Sequence, residues 1–311
     1  MNIYHHFSEF KRLNNAVATI GTFDGVHYGH QKIIKRLCEL ARATGGESVI
    51  LTFFPHPRLI IDPENQDLKM INTIDEKAKI LAALGVDHLI ITPFTRDFSN
   101  LSAEEYIKNI LVDTIGIKNL IVGYDHRFGK DRKGGMPELL ALARTYSYQI
   151  EVIPEQDIND VAVSSTKVRN ALLNGQVALA AEYLGYNFSL HGRVIKGDKI
   201  GRTIGFPTAN IFIEETYKLI PSDGIYAVTV DMEEQSFRGM AYIGQRPTIN
   251  GMTRNIEVNI FDFDREIYGQ DITMTFLQFL RHDVKFTGLE ALKIQLQKDK
   301  EDTLAYFATL E

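Results

Sequence analysis

Up to Leu184 short apolar runs alternate with segments of helical periodicity, and few folds accept that pattern. The runs at residues 16–20, 48–53, 88–92, 119–123 and 149–153 have the length and composition of buried strands. Between them Ile33, Ile34, Leu37, Cys38, Leu40 and Ala41 recur with helical spacing. Thr73 with Glu76, and Ser102 with Glu105, have the spacing of capping boxes, and Pro137 stands at a helix start. Strands alternating with helices predict an α/β domain, a parallel sheet covered on both faces. In such a sheet ligands bind beyond the carboxyl ends of the strands, so the loops that follow strands carry the chemistry.

The alternation stops near Phe188. Runs rich in Val, Ile, Thr, Tyr and Phe follow at 193–195, 209–213, 225–231, 238–243, 255–261 and 271–279, separated by turn residues. This is the pattern of an antiparallel barrel or sandwich, closed by an amphipathic helix over 289–298. The change predicts two domains, residues 1–186 and 187–311, which the length accommodates. Lys plus Arg number 34 and Asp plus Glu 40, a formal charge of −6, which offers no broad attraction to nucleic acid or to an anionic membrane. Cys38 is the only cysteine, so a disulfide framework and a cysteine-based zinc site are excluded and a reducing cytoplasm fits. With no signal-peptide core and no membrane-length apolar run, a cytoplasmic protein with small-molecule partners is expected. The oligomeric state is not encoded in any of these patterns.

The densest chemistry lies at Gly21-Thr22-Phe23-Asp24-Gly25-Val26-His27-Tyr28-Gly29-His30, a strand-to-helix turn. Glycines let backbone approach a ligand, the N–H groups of the new helix suit an anion, and His27 and His30 flank Gly29 so that both imidazoles face the same side. A nucleoside triphosphate fits that arrangement; a helix cap is the plainer reading of either histidine. Neither Walker spacing nor G-x-G-x-x-G is present. After the second long run, Phe53-Phe54-Pro55-His56-Pro57-Arg58 is either a rigid turn over core aromatics or a wall for a flat ring. The stretch 122–130, with Asp125, His126 and Phe128, suits a loop closing over a phosphorylated aromatic substrate, or is a solvated basic loop. Ser164 to Arg169 places hydroxyls at N-cap positions, and Lys167 and Arg169 near a helix end where only an anion would make cations favourable.

In the second half, Gly192, Gly197, Gly201 and Gly205 alternate with basic groups including Lys196, as in a phosphate cradle or a plain glycine-rich hairpin. Thr208 and Asn210 stand two apart entering a strand, so a hydroxyl and an amide oxygen share one face and suit a magnesium ion. Glu257 and Asn259 alternate with Ile256, Val258 and Ile260. On the inward face of a barrel such an acid is costly unless used, which makes Glu257 a candidate general base; on the outward face it is a surface acid.

The block 21–30 resembles the H-x-G-H signature of the nucleotidyltransferase superfamily. Jointly with Pro55-His56-Pro57, residues 122–129, 164–169, 205–210 and 243–248, Glu257 and Leu280-Arg281, the whole chain resembles the bacterial bifunctional riboflavin kinase and FMN adenylyltransferase (FAD synthetase) family. The resemblance implies a Rossmann-like nucleotidyltransferase domain that adenylylates FMN with release of pyrophosphate. It also implies a riboflavin kinase barrel, with ATP and Mg2+ used by both. Carried over by residue, it implies His27 and His30 as catalytic donors, with ATP contacts at Gly21, Phe23, Asp24, Gly29, Ser165, Thr166 and Arg169. Pro55, His56, Pro57, Asp125 and Phe128 would line the flavin nucleotide. In the kinase it implies ATP contacts at Gly192, Lys196, Gly197, Gly201, Pro207, Thr208 and Asn210, metal at Thr208 and Asn210, Glu257 as base, and flavin contacts at Arg281 and Phe286. The chain departs from the family pattern at His126, where an aromatic such as Phe is common, at Asn259, where His is common, and at His282-Asp283-Val284. Two other readings remain: an adenylyltransferase whose barrel is only a binding module, and a flavin-binding regulator without catalysis.

Overall fold

The computed structural model describes all residues except 63, 65, 66, 125, 126, 131–133, 155–162, 198, 199, 249, 250 and 311, and gives no side-chain detail at 200, 246–248 and 251–253. The chain divides into two compact units, Met1–Ser165 and Thr166–Glu311.

The first unit is built on a parallel sheet of β1 (Asn2–Tyr4), β2 (Ala16–Ile20), β3 (Glu47–Phe53), β4 (His88–Thr92), β5 (Ile117–Gly123) and β6 (Gln149–Ile153). Their order is β1-β4-β3-β2-β5-β6, with every neighbouring pair parallel. β2 and β4 are buried at every position, the consequence of helices on both faces. On one face Ala16, Ala18, Ile20, Leu120 and Val122 pack against the π-helical segment Tyr106–Ile115. On the other, Val17, Ile50, Leu89 and Ile121 meet Ile34, Leu37 and Ala41 of helix Tyr28–Thr44 and Leu81 of helix Ile74–Ala83. Strand order reverses at β2: β3 and β4 lie to one side and β5 and β6 to the other. Sheets with such a reversal bind ligands beyond the carboxyl ends of the strands flanking it, and the block 21–30 leaves the carboxyl end of β2.

The second unit resolves the choice between barrel and sandwich. β7 (Ser189–Ile195), β8 (Ala209–Phe212), β9 (Gly224–Met232), β10 (Gln235–Thr248), β11 (Gly251–Ile260) and β12 (Asp271–Arg281) form a closed antiparallel barrel in the order β10-β11-β8-β7-β12-β9. Inside it Tyr226, Phe188 and Phe276 are nearly inaccessible, with Tyr226 and Phe276 edge to face at 5.1 Å. Several strands and the terminal helix Leu289–Ala308 run past their expected ends, because ladder and helix hydrogen bonds continue through polar residues that break the apolar pattern. Helices Ser165–Leu173 and Val177–Leu184, from Thr166 onward, group with the barrel: the Ser222 N–H donates to the Leu172 carbonyl at 3.1 Å.

One turn in the first unit admits only glycine. Gly116 ends the segment Tyr106–Ile115 at φ 80°, its N–H donates to the Leu111 carbonyl at 3.0 Å, and a Cβ there would overlap the Leu13 carbonyl. Gly116→Ala therefore lowers the thermal unfolding midpoint of the first unit by several degrees, a destabilisation above about 1 kcal/mol; calorimetry on the full chain reads it.

Candidate active sites

The turn after β2 is strained and tightly held. Phe23 (φ 44°) and Val26 (φ 36°) both take left-handed conformations, around Gly25 at φ 82°. Such residues cost of order 1–3 kcal/mol each and persist where surrounding contacts over-determine them. Those contacts are present. The Gly21 N–H donates to the Leu51 carbonyl at 3.1 Å, the Val26 N–H to the Phe23 carbonyl at 3.1 Å, and Gln31 Nε2 to the Val26 carbonyl at 2.9 Å. Ser165 Oγ donates to the Asp24 carbonyl at 2.9 Å, and Lys77 Nζ to the Thr22 carbonyl at 2.6 Å.

The turn presents the two histidines as a stacked pair, with ring centroids 3.6 Å apart and planes 18° from parallel. His27 does serve as a cap, its Nδ1 accepting from the His30 N–H at 3.4 Å, and Phe23 buttresses the His30 ring edge-on at 5.2 Å. His30 Nδ1 is enclosed and has no hydrogen-bond partner among the described residues. Burial, then the neighbouring His27, then Lys77 hold the His30 pKa well below its usual value, so the imidazole is neutral and carries one N–H donor. Gly29 is buried in the first turn of the same helix.

Other expected residues of this half take several positions. Asp24, expected at ATP, is 1% exposed and its Oδ1 accepts from the Ile71 N–H at 3.0 Å. His56 caps the short helix Pro57–Ile61, accepting from the Arg58 N–H at 3.1 Å, while Pro55 is exposed beside it. Phe128, expected at the flavin, has its ring buried in the core beside Tyr106, 5.7 Å between centroids. Asp125 and His126 lie outside the described residues. Thr166 and Arg169 follow Ser165 in one helix but group with the second unit. Lys77 went unnoticed in the sequence, although it stands on the apolar stripe Ile74, Lys77, Ala78, Leu81.

In the barrel, Ile256, Val258 and Ile260 point into the core, so Glu257 and Asn259 occupy the outer face of β11. The inward position considered for Glu257 is thereby corrected. It is not a solvated surface acid either, because the segment before β8 covers this face. Phe206, Met240 and Phe261 form a small apolar cluster there with Ile204 and Leu296. Glu257 Oε2 accepts from Thr208 Oγ1 at 2.8 Å and Oε1 from Asn255 Nδ2 at 2.6 Å, and Glu257 is paired with Asn210 across the β11–β8 ladder. Asn259 Nδ2 donates to the Pro207 carbonyl at 2.6 Å. Asn255 was missed in the sequence, although it shares the period of Glu257 and Asn259.

Gly197 lies against Asn210, whose amide a Cβ would overlap, and a Cβ at Gly201 would run into the Phe206 carbonyl. Gly192, expected at ATP, sits in β7 opposite Ile272, where a Cβ would meet the Phe212 carbonyl at 2.5 Å. Lys196 is exposed at the end of β7. A cavity of about 470 Å³ opens between Thr208, Val194, Val258, Arg265 and Tyr268. Arg281, expected at the flavin, is held by the terminal helix. Its Nε and Nη2 pair with both oxygens of Asp299 at 2.7 and 2.6 Å, and its Nη1 donates to the His282 carbonyl at 3.0 Å, so it ties β12 to the terminal helix. Phe286 lies 5.9 Å from that guanidinium.

An FAD synthetase family model matches residues 9–167 and a riboflavin kinase family model residues 184–307. The bifunctional riboflavin kinase/FMN adenylyltransferase of Listeria monocytogenes is 40% identical over 298 residues, covering 96% of this chain and 94% of the relative. That of Bacillus subtilis is 34% identical over 312 residues, covering 98% and 96%. A solved structure described as a macrolide-efflux protein from Streptococcus pneumoniae is similar along 97% of this chain and 98% of its own, with a TM-score of 0.87 and 31% identity. Among the described residues no helix is long and apolar enough to cross a membrane. With both models matched in chain order and full-length relatives above 30% identity, the chain belongs to the family of bifunctional riboflavin kinase/FMN adenylyltransferases.

Proposed function

We propose that FMN is adenylylated at the carboxyl edge of the parallel sheet and riboflavin is phosphorylated on the outer face of the barrel beside Glu257. The observation that carries the first assignment is the stacked His27–His30 pair at the strand-order reversal, with a His30 Nδ1 that is enclosed and has no hydrogen-bond partner among the described residues. In adenylyl transfer a phosphate oxygen of FMN attacks the α-phosphorus of ATP, the bond to the β-phosphate bridge breaks, and pyrophosphate leaves. Negative charge builds on the phosphate oxygens, and fixed N–H donors stabilise it more than they stabilise the ground state. His27 and His30 supply such donors and need not act as nucleophiles.

In the kinase reaction the terminal ribityl hydroxyl attacks the γ-phosphorus of ATP and ADP leaves. The hydroxyl proton goes to Glu257, whose carboxylate is held from both sides by Thr208 and Asn255. Among the described residues no three His, Cys, Asp or Glu side chains are grouped to hold a metal. A hydroxyl, an amide and one carboxylate are nevertheless all-oxygen ligands of the kind Mg2+ accepts while keeping waters and phosphate oxygens. Thr208 and Asn210 would hold it, and it would neutralise phosphate charge. Riboflavin, FMN and ATP are the partners in this reading, and the single, buried Cys38 supports a reducing cytoplasm as its location.

His30→Ala lowers FAD formation from FMN and ATP by about a hundredfold or more, the scale of losing one oxyanion donor, with FMN formation retained; chromatography of both products reads it, and a parallel fall in FMN formation would count against the assignment. Glu257→Gln slows FMN formation by roughly two to four powers of ten while riboflavin and ATP still bind by calorimetry; near-normal turnover would remove the base. We set the functional boundary at residues 186/187, so a fragment 187–311 makes FMN and no FAD. Because the helices of residues 166–184 group with the barrel, a fragment 166–311 is assayed beside it, and FAD from either would overturn the division.

A further inference from the structure

Lys77 takes part in neither reaction as written above, yet it is 4% exposed on helix Ile74–Ala83. Its Nζ donates to the Thr22 carbonyl at 2.6 Å, and Asp24 from the turn and His30 from helix Tyr28–Thr44 face its charge. Hydrogen-bond satisfaction does not demand it. The Thr22 carbonyl also accepts from Thr52 Oγ1 at 3.3 Å, and Asp24 Oδ1 accepts from the Ile71 N–H. An ammonium is costly to bury, and an apolar side chain would serve this stripe better as packing. What only a cation supplies is a short tether from helix to turn and a positive charge behind the imidazoles. Resting on the adenylyl-transfer reading of the first unit, we propose that Lys77 is a positioning residue for that reaction. Its buried ammonium clamps the Thr22 carbonyl to helix Ile74–Ala83 and so fixes the turn that presents His27 and His30.

The clamp acts where the backbone has most reason to relax, one residue before the left-handed Phe23. His27 caps the helix that carries His30, so a shift of the turn moves both rings together. Misplacing catalytic groups by about an ångström is enough to cost about a hundredfold in rate. Burial pushes the Lys77 ammonium down to about 8, opposed by Asp24. Lys77 is therefore charged below about pH 8 and loses the charge above it, and the clamp weakens in that direction.

The test uses the full chain with Lys77→Met, Lys77→Arg and, for reference, His30→Ala. FAD formation from FMN and ATP is measured across this pH range, and His30 is titrated by NMR. Lys77→Met is expected to lower kcat about tenfold to a hundredfold, with KM for ATP and FMN moving less than about threefold, and to raise the His30 pKa. Lys77→Arg keeps the charge, so it leaves the His30 titration in place and removes the fall in FAD formation above about pH 8. Unchanged FAD formation in Lys77→Met beside a crippled His30→Ala overturns the role of Lys77 alone. Unchanged FAD formation in both overturns the adenylyl-transfer reading itself. Loss of the folded NMR spectrum in both Lys77 variants would make the residue a folding element and likewise overturn the proposal.

Discussion

The first unit depends on the position of β2 between β3 and β5. Because both neighbours are parallel, their connections run back over opposite faces of the sheet, and the chain leaving β2 emerges where the covering layers part. That geometry leaves the turn 21–27 at the carboxyl edge of the sheet, with Phe23 to His27 buried against the core. A relaxed loop there would let the histidines wander. The left-handed Phe23 and Val26 instead fold the backbone under the helix start, and contacts from β3, from helix Ile74–Ala83 and from Ser165 keep it there.

Each unit encloses charged side chains. Lys77 is nearly inaccessible near Asp24, and Asp299, 1% exposed, meets Arg281 in a bidentate pair supported by Gln295 Nε2 at 2.9 Å. Such groups are weak evidence for stability, since well-packed apolar residues of similar volume often do as well or better. They restrict arrangement instead. A bidentate guanidinium–carboxylate pair fixes distance and plane together, so the end of β12 and the terminal helix have one relation to each other.

Much of this was legible in the sequence, and the failures share a cause. Five of the six strands of the parallel sheet and the closing helix of the barrel unit announce themselves by apolar period, whereas Asn2–Tyr4 is three residues long and too short to show one. Alternation in β11 sets Glu257 and Asn259 apart from Ile256 and Val258, but period alone does not say which face is covered. The segment around Phe206, distant in sequence, decides it. Phe128, Asp24 and Arg281 are residue types that ligand sites favour and that cores and ion pairs favour too, and only their neighbours distinguish the two uses. Lys77 left a signal, a cation on an apolar stripe, which sequence reasoning passes over because lysine stems often snorkel to the surface.

Asn259 shows how a departure from a family pattern can keep a local function. Its Nδ2 donates to the Pro207 carbonyl, which fixes the residue just before Thr208, and Thr208 in turn donates to Glu257. A histidine ring nitrogen could supply a similar N–H, so the position reads as a requirement for a donor to the segment entering β8. What asparagine lacks is a second role, since an amide does not accept a proton near neutrality. The consequence is a division of contacts along one face of β11: Asn259 holds the Pro207 carbonyl, Asn255 and Thr208 hold the Glu257 carboxylate, and in the proposed kinase reaction proton transfer would be left to Glu257.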